Sequence, residues 1–431
     1  MAWLKTFRRY FVTKTKWICR LKTQCLPVRI WFELLIGQEY TRAMRIKKAF
    51  KFRLKPTVEQ AQRLHEFAGS TRFLWNKVLA LNLHRLQQKQ PILYYQELDF
   101  WSKLWKQSEE YGFLRNCPAH LLQQKLRDLE RAFKDYFDKK QPNKRLPKLK
   151  KRGINDSFRF PEPKQIKLEY RHITLPKVGR IRFYRSGEIV GDIKNVTVSR
   201  QAGHWYFSVQ VDCELPSSVS TLSTQPIGLD LGVKQFVTTS TGEHQSPINS
   251  FRQHEKQLGQ LQRRLSRKKR FSSNWKRQRR KITQLHQKIA NSRRDFQHKL
   301  STKLCKNHAM IVVEALKIKN MSKSASGDLE HPGSRVAAKS GLSKSILDQG
   351  WYEFKRQLDY KSYWRGGLVV EVSPQYTSQR CSNCQQVDAR NRQTQERFVC
   401  LNCHNEMNAD VNAAKNILAA GHVVMACGAS A

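Results

Sequence analysis

The chain has 431 residues, with 80 lysines and arginines against 34 aspartates and glutamates, so its formal net charge is +46. That length favours two or more packed units, and a hydrophobic share of 39% with ten tryptophans argues against a disordered basic tail. So large a positive excess would repel itself in a compact fold unless a polyanion were bound, which makes nucleic acid the expected partner. No apolar run approaches the ~20 residues that cross a bilayer. We therefore expect no membrane partner, and no small-molecule substrate either.

The first segment, residues 1–43, carries basic and aromatic residues without a clear period and without the apolar core of a signal peptide. We interpret it as a basic leader that is not native, with the native start at Met44; a genuine basic leader is the alternative that the residues leave open. From there an alternating run predicts a first strand over 44–56 that is stopped by proline. Thr57 is placed to cap the helix that follows.

Helical periodicity then predicts a helical lobe over 57–150. Its last part, KKQPNKRLPKLKKRG, is rich in proline and basic residues and indicates a linker or a phosphate-contacting loop. Short β-branched and aromatic runs separated by glycine turns follow over 151–225. They predict a small β-barrel.

Strands and helices alternate over 226–380. IGLDLGVKQFVTTSTGE predicts two strands around a turn, and a strongly basic stretch over 251–306 predicts two helices in a hairpin that breaks near Ser272. MIVVEAL and GGLVVEVS predict further strands, with a loop and then one helix, SILDQGWYEFKRQLDYKSYW, between them.

A final helix is predicted over 404–421, closed by Gly421, with a tail over 422–431.

Three acids stand at the ends of these elements: Asp230 and Glu314 each end a buried strand, and Asp410 precedes the final helix. Acids clustered in such surroundings repel one another and have raised pKa values, so they normally hold divalent cations. Two Mg²⁺ or Mn²⁺ ions ~3.5–4 Å apart, held by such carboxylates, hydrolyse phosphodiesters. The order of the elements is that of an RNase H-type core. Singly, each acid has an ordinary alternative, since Asp230 could cap a turn, Glu314 could form an ion pair and Asp410 could cap the helix.

Four of the ten cysteines have the spacing C-x₂-C-x₁₅-C-x₂-C, namely Cys381, Cys384, Cys400 and Cys403. Without a secretory signal the compartment should be reducing, so this spacing predicts a structural zinc site over 381–403 rather than disulfides. Four thiolates complete a tetrahedron and leave no open position for catalysis.

The basic hairpin almost lacks acids, and its cations would repel one another without them, so phosphate binding is favoured over a solvated helix face. Among its aromatic residues, Phe271, Trp275 and Phe296 are expected to pack, with base stacking as the alternative. The predicted nucleic-acid contacts are Arg263, Arg264, Arg267, Lys268, Lys269, Arg270, Lys276, Arg277, Arg279, Arg280, Lys281, Arg293 and Arg294.

Several stretches together resemble the TnpB family of RNA-guided nucleases from bacterial insertion sequences, whose core is similar to that of type V CRISPR effectors. They are KFRLKPTVEQ, IGLDLGVKQF, RRDFQHK, VVEALKIKNM, GWYEFKRQLDYK, SPQYTSQRCSNC and NADVNAAKNIL. The resemblance implies that Asp230, Glu314 and Asp410 are the catalytic carboxylates of a RuvC-like domain with the cysteines in its zinc-bearing insertion. It also implies a wedge barrel, a helical recognition lobe, a bound guide RNA and a target DNA.

Two positions depart from the pattern of this family: Asn408 stands where many relatives have an acid, and His404 where many have glycine. The expected fold is multidomain α+β, with a recognition lobe and wedge barrel joined to an RNase H-like nuclease domain with a zinc-ribbon insertion. The expected protein is a cytoplasmic RNA-guided DNA endonuclease that joins the nucleoid when bound to DNA. A non-cleaving nucleic-acid-binding regulator and a DNA-joining transposase are the alternatives.

Overall fold

The structure is a computed structural model that describes residues 45–214, 225–328 and 330–426. The chain divides into two compact units, Met44–Glu214 and a second that contains Leu215–Ala431. Each unit mixes helices with strands, so the fold class is α+β. The leader expected over 1–43 lies outside the described residues. Within the described ranges, no helix has both the length and the apolar composition needed to span a membrane.

The first unit contains seven strands: β1 (Arg45–Lys55), β2 (Ser157–Phe160), β3 (Lys167–Leu168), β4 (His172–Leu175), β5 (Gly179–Tyr184), β6 (Asp192–Gln201) and β7 (His204–Glu214). They form one antiparallel sheet in the order β2-β6-β7-β1-β5-β4-β3. Phe52, Phe183 and Phe207 pack together in its core, with ring centroids 4.9 to 5.5 Å apart. Among the described residues β2, which pairs with β6, and β3, which pairs with β4, are the two outer strands of this order. The strands predicted over 151–225 are thus found in one antiparallel sheet together with β1, and the small β-barrel itself stays a prediction.

The helices of the first unit are α1 (Val58–Gln87), α2 (Tyr95–Gln107) and α3 (Ala119–Phe137). Thr57 caps α1 as predicted: its hydroxyl accepts the Gln60 N–H, and the Gln60 side chain accepts the Thr57 N–H in return. Leu64, Leu74 and Leu129 are among the fully buried side chains of α1 and α3, which pack against each other.

The second unit contains five further strands in one sheet: β8 (Ile227–Asp230), β9 (Val237–Thr239), β10 (His244–Gln245), β11 (Met310–Glu314) and β12 (Leu368–Val372). Their order is β10-β9-β8-β11-β12. The strands β8, β11 and β12 are parallel, whereas β9 and β10 form an antiparallel extension on the other side of β8.

The helices of this unit are α4 (Ser250–Ser266), α5 (Ser273–Asn307), α6 (Ile318–Met321), α7 (Val336–Gln349), α8 (Trp351–Tyr363) and α9 (Ala409–Ala426). The hairpin of α4 and α5 breaks where it was predicted to, because the Ser272 hydroxyl accepts the N–H of Trp275 and starts α5. The single helix expected over SILDQGWYEFKRQLDYKSYW is in fact two, α7 and α8, because Gly350 between them has a φ of 67°, in the left-handed region.

Both faces of the five-stranded sheet are covered. Ile311 and Val313 of β11 face a core that includes Phe354 of α8, while Val312 faces Ile417 of α9. This alternation along one fully buried strand is what a sheet between two helical layers requires.

Glycine allows α9 to lie close to the sheet at two points. A Cβ on Gly228 of β8 would overlap the carbonyl oxygen of Ala414, and a Cβ on Gly421 would lie 2.5 Å from a methyl group of Val312. Gly421 therefore does not end the helix, contrary to the sequence prediction, and α9 continues to Ala426.

Candidate active site and metal centre

Two of the three predicted acids end neighbouring strands. Asp230 is the last residue of β8 and Glu314 is the last residue of β11. These strands are parallel, with Leu229 opposite Val313, so the two acids follow at adjacent positions on the same edge of the sheet.

The third acid, Asp410, is the second residue of α9, which packs on β8 and β11. Asn408 caps this helix, because its side-chain oxygen accepts the N–H groups of Asp410, at 3.0 Å, and Val411, at 3.2 Å. The departure at Asn408 thus supplies a helix cap. Capping is not the role of the Asp410 carboxylate itself, which is left for other contacts.

The three carboxylates interact electrostatically. Burial first, and then the negative charges of Glu314 and Asp410, raise the pKa of Asp230 to about 7, while Arg392 opposes the shift. Burial also raises the pKa of Glu314, against a hydrogen bond from Thr377. The shifts reflect burial and mutual repulsion, and carboxylate oxygens are the ligands that hard divalent cations prefer.

Two side chains at this edge of the sheet were missed by the sequence interpretation. The Arg392 guanidinium donates to Asp410 at 3.0 Å, and the Thr377 hydroxyl donates to Glu314 at 2.6 Å. Arg392 comes from the segment between the two cysteine pairs, which is also tied to the loop after β8 by a Lys234–Glu396 ion pair. A lone arginine or threonine in a loop carries no local signal of such a contact, so a tertiary structure was needed to find them.

The four cysteines come together in one cluster. Their sulfur atoms all lie within 4.8 Å of one another, with Cys381 and Cys403 3.6 Å apart and Cys384 and Cys400 3.5 Å apart. A tetrahedral zinc with Zn–S bonds of ~2.3 Å separates its sulfurs by about 3.8 Å, so the donor set fits that metal. Among the described residues the three acids form no group as tight as this one.

Each cysteine pair sits in a turn of the same design. The first cysteine donates its N–H to the carbonyl five residues later and accepts the N–H four residues later. The residue after the second cysteine is left-handed, with φ 67° at Gln385 and 55° at His404. His404, the second departure from the family pattern, therefore adopts the backbone conformation that glycine would. The pKa of Cys384 is lowered to about 6, chiefly by a hydrogen bond from the backbone of Gln386. This shift favours the thiolate form, which is the form that binds metal.

Two short strands pair on either side of the last two cysteines: β13 (Arg397–Val399) precedes Cys400, and β14 (Glu406–Asn408) lies between Cys403 and α9. The sequence interpretation did not include them. They connect the cysteine cluster directly to the helix that carries Asp410.

The basic hairpin is held together by an apolar seam that includes Leu258, Leu285 and Ile289. Its predicted phosphate-binding residues point outward, except that Lys268 and Arg293 are half-buried. Arg293 donates to the Leu347 and Asp348 carbonyls, both at 3.0 Å, so it anchors the end of α7.

The aromatic residues of the hairpin divide into two kinds. Phe296 packs on Phe236, with centroids 5.1 Å apart, as expected. Phe271, at the tip, is 62% exposed and lies between the cation of Arg270 and the partly buried Trp275 ring. The tip therefore presents an aromatic face flanked by positive charge.

Comparison with known proteins gives three family matches. The OrfB model of IS605 elements, described as a probable transposase, matches residues 207–325. The Cas12f1-like TNB domain matches 351–417, and the OrfB helix-turn-helix domain matches 44–91. Within that last range the chain forms β1 and the long helix α1.

Full-length relatives agree with these matches. The chain is 48% identical over 385 residues to the "Putative RNA-guided DNA endonuclease InsQ" of Escherichia coli K12, covering 89% of this chain and 95% of that protein. It is 32% identical over 391 residues to a "Putative RNA-guided DNA endonuclease" of Streptomyces pristinaespiralis, covering 89% and 92%. The chain belongs to the TnpB (OrfB) family of insertion-sequence proteins.

Two solved structures align with most of this chain, but at low similarity. The complex of Cas12f1 with sgRNA and target DNA aligns with 86% of this chain and 99% of its own, at 16% identity and a TM-score of 0.32. CasPhi-2 (Cas12j) bound to crRNA aligns with 89% and 99%, at 11% identity and a TM-score of 0.39. Scores this low add nothing to the family assignment.

Proposed function

We propose that this protein is an RNA-guided DNA endonuclease that hydrolyses phosphodiester bonds at Asp230, Glu314 and Asp410. The observation that carries the proposal is geometric: Asp230 and Glu314 end neighbouring parallel strands at one edge of the sheet, and Asp410 begins the helix that packs on both strands. The raised pKa of Asp230, caused by burial and by the two neighbouring acids, agrees with this arrangement. The strand order β10-β9-β8-β11-β12 supports an RNase H-like, RuvC-type core around these acids.

The three carboxylates would hold Mg²⁺ or Mn²⁺. Such ions, when bound, activate a water and stabilise the leaving oxygen of the phosphodiester. The chain itself contributes the two strand ends and the capped start of α9, which fix the carboxylates at one edge of the sheet. Arg392 contributes a fixed positive charge beside Asp410, at 3.0 Å.

The nucleic-acid partners are a guide RNA and a target DNA, as the names of the two full-length relatives suggest. The hairpin supports this, since no acid lies between Lys256 and Arg294 and its exposed cations are suited to phosphates. The exposed ring of Phe271 could in addition stack on a base.

The four cysteines would hold one zinc ion in a zinc-ribbon insertion. Sulfur separations near those of a tetrahedral site support this, and the closed shell gives the ion a structural role.

The decisive experiment compares wild type with Asp230→Ala, each loaded with guide RNA, on a supercoiled plasmid with and without Mg²⁺. We expect cutting by wild type in Mg²⁺ alone and none by the variant, because the variant lacks a ligand of the catalytic ions. Binding should be largely retained, since affinity comes from basic residues and guide pairing. The matched control is Asp328→Ala, which removes an exposed acid from the loop between α6 and α7 and should cut normally.

Four results would contradict the proposal. Cutting by Asp230→Ala at the wild-type rate, or by wild type without divalent ions, would place the site elsewhere. Binding without cutting by wild type would favour a regulator, and joined DNA products would favour a transposase.

A further inference from the structure

The short segment from Ser373 to Arg380 links β12 to the first cysteine of the cluster, and one buried side chain in it contacts the acid site. Thr377 is 7% exposed, and its hydroxyl lies 2.6 Å from a Glu314 carboxylate oxygen and 3.2 Å from the Pro374 carbonyl. A hydroxyl has one proton to donate, and the shorter distance assigns it to Glu314.

The backbone around Thr377 is fixed by two buried asparagines of α9, the helix that also carries Asp410. Asn416 donates to the Thr377 carbonyl at 2.9 Å and to the Arg380 carbonyl at 2.7 Å. Asn412 donates to the same Arg380 carbonyl at 2.7 Å.

The same helix also forms a hydrogen bond beside the cysteine cluster. The side-chain oxygen of Asn412 accepts the N–H of Ser382, at 2.9 Å, and Ser382 directly follows the ligand Cys381. Asn412 is fully buried and Asn416 is 4% exposed, so both sets of hydrogen bonds are shielded from water. A continuous chain of hydrogen bonds therefore runs from Glu314 through α9 to the cysteine cluster.

We propose that Thr377 is a positioning residue for Glu314, fixing which carboxylate oxygen is turned toward the catalytic cations, and that α9 and the cysteine cluster hold Thr377 in place. A glutamate side chain loses rotamer entropy when it is fixed. Because the Thr377 hydroxyl fixes Glu314 before the metal binds, metal binding does not carry the entropy cost of ordering this side chain. The inference rests on the proposed function, because it takes Glu314 as a metal ligand.

The test is the affinity for Mn²⁺ of the full-length protein, measured from free Mn²⁺ by electron paramagnetic resonance. Thr377→Val keeps the shape of the side chain but removes the donor, and should weaken binding roughly 10- to 100-fold. Thr377→Ser keeps the donor and should bind nearly as wild type does. Zinc content and melting temperature should be the same in all three proteins, which a general structural defect would not allow.

The matched control is Thr239→Val, since Thr239 is a buried threonine at the end of β9 whose hydroxyl contacts Thr241 and Glu243 rather than a predicted metal ligand. It should leave Mn²⁺ affinity unchanged. Unchanged affinity in Thr377→Val, or an equal loss in Thr377→Ser or Thr239→Val, would overturn the inference. If Asp230→Ala removed no Mn²⁺ binding, both this inference and the proposed metal site would be overturned. Binding that depends on Thr377 in a protein that cuts no DNA would refute the proposed activity alone.

Discussion

Asp230 is an acid in surroundings that disfavour its charge, since burial and two neighbouring acids raise its pKa to about 7 from an ordinary value of 3.8. Between these two values the folded protein binds more protons at this position than the unfolded chain does. The stability of the metal-free protein should therefore fall as the pH rises from about 4 to about 7. Divalent ions bound at the acids would oppose this loss.

The corresponding prediction concerns Asp230→Asn, which cannot ionise. Without Mg²⁺ or Mn²⁺ the variant should be more stable than wild type at pH 8, by at most about 4 kcal/mol, and equally stable near pH 4. Chemical denaturation at the two pH values in zinc-containing buffer measures the difference. Asp295→Asn, which removes an exposed acid, is the control. Equal stabilities at pH 8 would show that the charge of Asp230 is already compensated.

The cysteines give a second prediction at this scale. Cys381→Ser or Cys400→Ser should lower the zinc content below one ion per protein and destabilise the second unit by on the order of 4 kcal/mol, because the proposed structural zinc would then lack one of its ligands. Leu401→Ser, which changes an exposed neighbour in the same turn, should leave both unchanged. Elemental analysis and thermal unfolding provide the measurements. A zinc-free but fully stable wild type would contradict the prediction.

At this scale the sequence revealed residues whose type and spacing carry their own chemistry. The cysteine spacing and the acids at the ends of apolar strands belong to this class. Arg392 and Thr377 do not, because their importance lies in contacts with Asp410 and Glu314, which are distant along the chain. Asn408 was noticed as a departure from the family, but only the geometry showed that it caps α9.

Among the elements, the basic hairpin carries a prediction about salt. Changing Arg267, Lys268, Lys269 and Arg270 to glutamine should weaken nucleic-acid binding and flatten its salt dependence, by a slope of roughly 0.7 to 0.9 for each phosphate that is no longer neutralised. Half-buried Lys268 should contribute least. The measurement is the slope of log K against log salt concentration.

The control for the hairpin preserves its charge. Arg267→Lys together with Arg270→Lys should leave the slope unchanged, because counterion release depends on charge rather than on side-chain shape. If the glutamine variant kept the wild-type slope, the hairpin would not be a phosphate-binding element.

Element boundaries were predictable where a local signal exists and not where packing decides. Ser272 starts α5 through its own hydroxyl, which the sequence could suggest. Gly421 was predicted to end the last helix, yet it lies inside α9. A glycine is needed there because Val312 leaves no room for a side chain. Gly350 is the opposite case: the sequence placed it inside one helix, but it separates the two helices α7 and α8.

For the whole molecule, the net charge of +46 predicts an unusual response to salt. Raising the NaCl concentration should increase the melting temperature of the nucleic-acid-free protein, because salt screens the repulsion between its cations. A polyanion such as heparin should do so at far lower concentration. Differential scanning fluorimetry across a salt series tests this. A melting temperature that falls with salt would indicate that the cations are already paired within the fold.

The position of Asp410 near the end of the chain also determines when the acid cluster can form during protein synthesis. A ribosome makes β8 and β11, with the first two acids, well before it makes the helix that completes the cluster. Until α9 has emerged and settled on Gly228, a nascent chain has an exposed sheet face and an incomplete set of acids. Cutting competence should therefore appear late in synthesis, after the basic hairpin is already available to nucleic acid.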